Sequence, residues 1–157
     1  MFPIIPANSA TAESGNQEGI FGFGANASIY SMTNLVSNAG VVATDTTGVG
    51  IGRNGPGACE YGGDKGIFAY GNSGSYVSSS NLVSNAGVVS SDVTGVGTVR
   101  KMPGACGYGG DKGIFGYGYI APSYVSTTNL VSNAGVVSSD ATQAGIAVEG
   151  RAACSFN

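Results

Sequence analysis

The sequence predicts an all-β fold made of three similar antiparallel sheet units, and three observations carry that reading. The first is an internal repeat. Gly19-Ile20-Phe21 recurs as Gly66-Ile67-Phe68 and Gly113-Ile114-Phe115, 47 residues apart each time. Such a period is the mark of a repeat architecture. The second is composition: 28 of 157 residues are glycine, 42% are hydrophobic and only 10% are charged. That suits short strands joined by tight turns, not a disordered polyelectrolyte. The third concerns helices. No window of roughly 11 residues keeps a helical apolar stripe free of glycine or proline.

The repeat extends over nearly everything from Gly19 onward. The run Asn34-Leu35-Val36-Ser37-Asn38-Ala39-Gly40-Val41-Val42 returns unchanged from Asn81 and from Asn129, at offsets of 47 and 48. The extra residue of the third copy falls in the loop between Phe115 and Asn129, where insertion is tolerated. Units are therefore expected at about 19–65, 66–112 and 113–157. Residues 1–18 have no counterpart in the repeat and are expected to form an extended docking arm anchored by Phe2, Ile4 and Ile5.

Each unit reads as four strands, lettered here by position. Strand b spans 66–71, with Phe68 and Tyr70 on one face by the two-residue period. Between them the opposite face carries Gly22, Ala69 or Gly116, always small, which predicts close approach of another sheet on that side. Strand c runs from about Tyr76 to Ser84. Strand d is Val88-Val89-Ser90-Ser91, reached through Asn85-Ala86-Gly87, a hairpin loop with glycine where positive φ is needed. Strand a is Gly104-Ala105-Cys106-Gly107-Tyr108, joined to the next b by the glycine-rich turn from Gly109 to Gly113. The aspartates Asp45, Asp92 and Asp140 end strand d as Asx-type turns. The order along the chain is thus b-c-d-a, repeated three times. The first b lacks a preceding a, and Ala152-Ala153-Cys154-Ser155-Phe156 is an a-like strand with no following b. An open edge invites pairing, so Ala153, Cys154 and Phe156 are expected to complete the first b strand, within one chain or between chains.

The unit from Arg100 through Gly104-Ala105-Cys106-Gly107-Tyr108-Gly109-Gly110-Asp111-Lys112-Gly113-Ile114-Phe115-Gly116-Tyr117-Gly118 to Asn129-Leu130-Val131-Ser132 resembles a kelch-type β-propeller blade. It shares the arginine, the small residues, the tight turn and the aromatic strand ending near glycine. It departs in having no tryptophan, and in placing Tyr117-Gly118 or Phe23-Gly24 where kelch blades have a double glycine. The Thr-Asn-Leu-Val-Ser-Asn-x-Gly-Val-Val repeat and the opening Ile4-Ile5-Pro6-Ala7-Asn8-Ser9-Ala10 are similar to virion proteins of marine bacteriophages. The first resemblance implies blades in a partial ring completed by oligomerisation or strand closure, since propellers have about four to eight blades. The alternative is a three-fold β-prism or β-trefoil monomer.

Composition narrows the function classes. Histidine is absent, which excludes histidine general bases, Ser-His-Asp and Cys-His systems, and histidine metal sites. Nine acidic against six basic residues leave no basic stripe for phosphate neutralisation, so no nucleic-acid partner is expected. No apolar run approaches the roughly 20 residues of a membrane span. Met-Phe-Pro-Ile-Ile-Pro lacks the basic start of a secretory signal, so synthesis in a host cytoplasm is expected, without membrane insertion.

The remaining residues have a structural and a chemical reading each. Cys59, Cys106 and Cys154, beside alanine or glycine, read as small core residues; their chemical readings are a shared thiolate metal site or an intermolecular bridge. Asp64 and Asp111, beside Lys65 and Lys112, and the strand-d aspartates read as turn chemistry. Repeat-equivalent acids have no asymmetry to separate an acid from a base, so glycoside hydrolysis is not expected. Phe21, Phe23, Phe68, Tyr70, Phe115 and Tyr117 read as core. Tyr30, Tyr76, Tyr119 and Tyr124 lie in variable loops among small polar residues, a contact chemistry able to stack on a sugar.

The expected function is non-enzymatic, without metal or cofactor. By resemblance, it is that of a structural or adhesive virion component (tail, fibre or decoration protein) partnered by itself and by other virion or surface proteins. The alternative is a lectin whose loop tyrosines bind glycans.

Overall fold

The computed structural model describes residues 18–142 and 145–156; Phe2, Ile4 and Ile5 lie outside them. The described chain is all-β. Its strands are β1 (Gly19–Ala25), β2 (Ile29–Val36), β3 (Gly57–Tyr61), β4 (Lys65–Ala69), β5 (Ser80–Val83), β6 (Gly104–Tyr108), β7 (Lys112–Gly116), β8 (Tyr119–Ile120), β9 (Ser123–Tyr124), β10 (Thr127–Val131) and β11 (Ala141–Thr142). Among these residues no helix is long and apolar enough to cross a membrane.

The strands form three antiparallel sheets and a small hairpin: β1-β2, β3-β4-β5, β6-β7-β10-β11, and β8-β9. The turn chemistry sets this order. Gly62 and Gly63, and equally Gly109 and Gly110, adopt positive φ, which lets each a strand fold straight back onto the next b strand. Thus β3 pairs with β4 through Tyr61↔Lys65, and β6 with β7 through Tyr108↔Lys112. Each unit's last strand therefore becomes the outer strand of the following sheet. The third sheet shows the a-b-c order, with the two-residue β11, just past Asp140, added beyond the c strand β10.

Strand d differs from its expected form. Val88-Val89-Ser90-Ser91 is not a continuous strand; only isolated bridges hold it, at Val83↔Val89 and Ser80↔Val93. The reason is one extra residue on the d side, a bulge, filled by a side chain. Asn81 Nδ2 donates to the Ser90 carbonyl at 3.0 Å and to Asp92 Oδ1 at 2.9 Å. Asn129 does the same with Ser138 and Asp140, and Asn34 with Ala43 and Asp45.

The sheets stack face to face. Tyr61, Ile67, Ala69, Tyr70, Phe115 and Val131 form the buried core between the second and third. The first of the small strand-b residues has the expected consequence. A Cβ on Gly22 would lie 2.9 Å from Phe68 Cζ, so Phe68 nests where a side chain is missing; Phe115 of the third sheet packs instead on Gly57, where an added Cβ would lie 3.0 Å from its Cδ1. Phe21 departs from its expected core position: it is 64% exposed. Its equivalents Phe68 and Phe115 are covered by the sheet before them, and among the described residues none precedes the first.

The C-terminal segment also departs from expectation. Residues 152–156 form no strand and make no ladder with β1. They lie beyond β6, where Cys154, Ser155 and Phe156 line a cleft with Cys106, Gly107 and Tyr108. Completion of β1 within one chain is therefore not what the described residues do.

Candidate functional site

The chemistry of this chain concentrates at the joints between sheets. Each b strand ends in an aromatic residue and a glycine, both at positive φ: Phe23 (64°) with Gly24, Tyr70 (66°) with Gly71, Tyr117 (64°) with Gly118. An aromatic residue at such a φ is strained by about 1–3 kcal/mol. In the first sheet the β1–β2 register shifts at this point: Phe23, between Gly22 and Gly24, faces two residues, Ser31 and Met32, between Tyr30 and Thr33. The twist turns the ring out of the strand's alternation and into the joint.

A guanidinium lies on each ring. Arg53 Cζ sits 4.1 Å from the Phe23 centroid and Arg100 Cζ 3.8 Å from that of Tyr70. Both arginines are fully buried, which costs solvation unless partners replace water. The partners come from the next sheet. Arg53 Nη2 donates to Asn81 Oδ1 at 2.5 Å, with Asp92 3.6 Å from Nη1; Arg100 Nη2 donates to Asn129 Oδ1 at 2.7 Å. Burial draws the Arg53 pKa down to about 10, partly opposed by Asp92, so it stays charged at neutral pH. Burial also lowers that of Arg100 and raises the Tyr70 phenol to about 12.

The bulge aspartates close the joint from the other side. Asp92 accepts from the Ile51 amide at 3.0 Å, and Asp140 from the Thr98 amide at 3.0 Å and its hydroxyl at 2.6 Å. Burial alone would raise the Asp140 pKa, but hydrogen bonds from Thr98 and Asn129 outweigh it and hold it below the usual carboxylate range. These two aspartates are thus more than turn residues: they tie each unit to the one before. Asp64 and Asp111 keep the turn role, paired with Lys65 and Lys112 and with Asn85 and Asn133.

The third joint half breaks the pattern in sequence and keeps it in space. Val148 stands at the repeat position of Arg53 and Arg100, yet Arg151 places its Cζ 4.2 Å from the Tyr117 centroid. The clues to all this were in the repeat. Arginine recurs at 53 and 100 and asparagine at 34, 81 and 129, but nothing in one dimension says that the arginine of one copy meets the asparagine of the next.

Among the loop tyrosines, the structure brings three together. Tyr119 lies 6.2 Å from Tyr76 and 5.2 Å from Tyr124, ring to ring, with Lys101 Nζ 5.4 Å from its centroid. Tyr30 stands apart from them, in a shallow pocket with Phe23, Asn34 and Asp45. The three cysteines are free. Cys59 is pressed against Gly113, and burial pushes its thiol up to about 12. Among the described residues no group of three or more cysteine and carboxylate side chains gathers into a metal-binding cluster. No protein-family model matches this chain, and a search of curated proteins finds no match.

Proposed function

We propose that this protein is a non-enzymatic structural or adhesive component of a bacteriophage virion, its three sheets acting as kelch-like blades of a ring that further copies complete. The observation that carries the reading is the joint. Two buried arginines, their strained aromatic partners and two aspartates bind sheet to sheet, which is construction chemistry and not turnover. Repetition of one module favours multivalent contact, and the resemblance to marine phage virion proteins supplies the particle. In this reading Phe2, Ile4 and Ile5 dock the chain on its neighbour. The test is immunogold microscopy of intact virions with antibody against the purified chain. Label at a tail, fibre or capsid site is expected; chain confined to the soluble fraction of the lysate would overturn the reading.

A second reading, glycan binding, draws on the cluster of Tyr76, Tyr119 and Tyr124, with Tyr124 53% exposed. A glycan array decides it: binding abolished by Tyr124→Ala would favour a lectin.

A further inference from the structure

The two end faces of the stack carry complementary halves of the joint that is made twice inside it. Within the chain a joint has four parts. The phenylalanine of the later sheet packs on a small residue of the earlier one, Phe68 on Gly22 and Phe115 on Gly57. The arginine on the earlier sheet's aromatic reaches the later sheet's asparagine. The later sheet's aspartate accepts an amide from the earlier unit. The earlier unit's a strand then pairs with the later sheet's b strand.

The first sheet has every later-sheet part and, among the described residues, no earlier sheet to use it. Phe21 is exposed. Asn34 Nδ2 already holds Asp45 and the Ala43 carbonyl, as in the other two units, but among the described residues no guanidinium donates to its Oδ1. Among the described residues no strand pairs with the outer edge of β1, and a cleft of about 360 Å³ lies between the first and second sheets, lined by Gly19, Ile20, Leu35 and Ile67. The third sheet has the earlier-sheet parts. Gly116 is buried, but a Cβ added there would meet only Thr128 of its own sheet and no phenylalanine, Arg151 is already stacked on Tyr117 with its side chain exposed, and Ile146 is 78% exposed. Residues 152–156 lie beyond β6, and among the described residues they pair with no b strand.

We propose that a second copy of this chain docks head to tail on the first: Phe21 of one copy nests on Gly116 of the other, Arg151 reaches Asn34 and Asp45, and residues 152–156 join the edge of β1. The register follows from Cys59↔Ile67 and Cys106↔Ile114, which sets Cys154 opposite Ile20. This names the partner in the structural reading above and rests on it. The contact is heterologous, so it propagates until a ring closes.

The experiment uses the full chain and two opposite-end variants, Phe21→Asp and Arg151→Glu, followed by sedimentation. The wild type assembles as concentration rises, and each variant alone loses assembly. An equimolar mixture regains a two-chain species, because one variant keeps an intact tail and the other an intact head. Ile20→Cys then forms a disulfide with Cys154 between chains. A mixture that stays monomeric although both variants show native circular dichroism overturns the proposal. So does a disulfide closed within one chain, or a monomeric wild type that assembles only after removal of residues 1–17, which would make the arm the occupant. A monomeric chain that still labels virions sinks this joint and leaves the structural reading standing. Assembly without virion label does the reverse.

Discussion

Arg100 shows how one residue can serve two sheets. Its guanidinium is shared between the Tyr70 ring and Asn129 Oδ1, and its Nη1 donates to the Thr98 carbonyl at 3.0 Å. Replacing it with methionine keeps much of the volume, but removes the cation–π contact and leaves Asn129 Oδ1 buried without its donor. Arg100→Met should therefore cost about 3 kcal/mol of stability, measured by denaturant unfolding, from charged hydrogen bonds and ring stacking together. A change under about 0.5 kcal/mol, the range of ordinary surface substitutions, would show that the arginine is not a joint residue. The sequence announced this arginine by its period, and the asparagine by the unchanged run around it. It could not announce their pairing, because the partners come from different copies 29 residues apart.

At the scale of the element, the d segment and the glycine before each arginine are coupled. Gly50 and Gly97 both have φ close to +80°. A Cβ on Gly97 would collide with Asp140 Oδ1 and lie close to Asn129 Nδ2, and one on Gly50 would collide with Asp92 Oδ1. Glycine is required there for two reasons at once: the backbone conformation, and room for the neighbouring sheet's carboxylate. Gly97→Ala should cost about 2 kcal/mol or more, combining strain with displacement of Asp140. Gly74→Ala is the control. That glycine also has positive φ, but its Cβ would meet nothing within 4 Å, so it should cost only the backbone part, about 1 kcal/mol. Equal losses in the two variants would refute the steric role. Strands a and b were legible in alternation and turn residues, and of strand c, expected from about Tyr76 to Ser84, only Ser80–Val83 forms in the second unit. Strand d was not, since its hydrogen bonds run partly through an asparagine side chain and the two-residue period has no register for a bulge.

For the whole molecule, a stack of sheets joined only to neighbours should lose structure from its less covered end. Among the described residues the first sheet has two strands and an open edge, whereas β4 and β7 are flanked on both sides. Amide hydrogen exchange in dilute solution should be faster in β1 than in β4 or β7, and should slow in β1 and in residues 152–156 as concentration rises. Uniform protection at every concentration would contradict both the end effect and the proposed joint. The repeat period, the glycine-bearing turns and the alternation of strand b determined by themselves that the chain is all-β, that each a strand folds back on the next b strand, and that the small residue at 22 lies at a close approach to the next sheet. Those properties depend on residues near one another along the chain. Tertiary structure alone decided that Phe21 is exposed while Phe68 and Phe115 are buried, that Arg151 takes the place left by Val148, and that residues 152–156 lie beyond β6 and not against β1. Repeat-equivalent residues have the same local sequence. What separates them is which sheet, if any, covers them, and that is set by position in the stack.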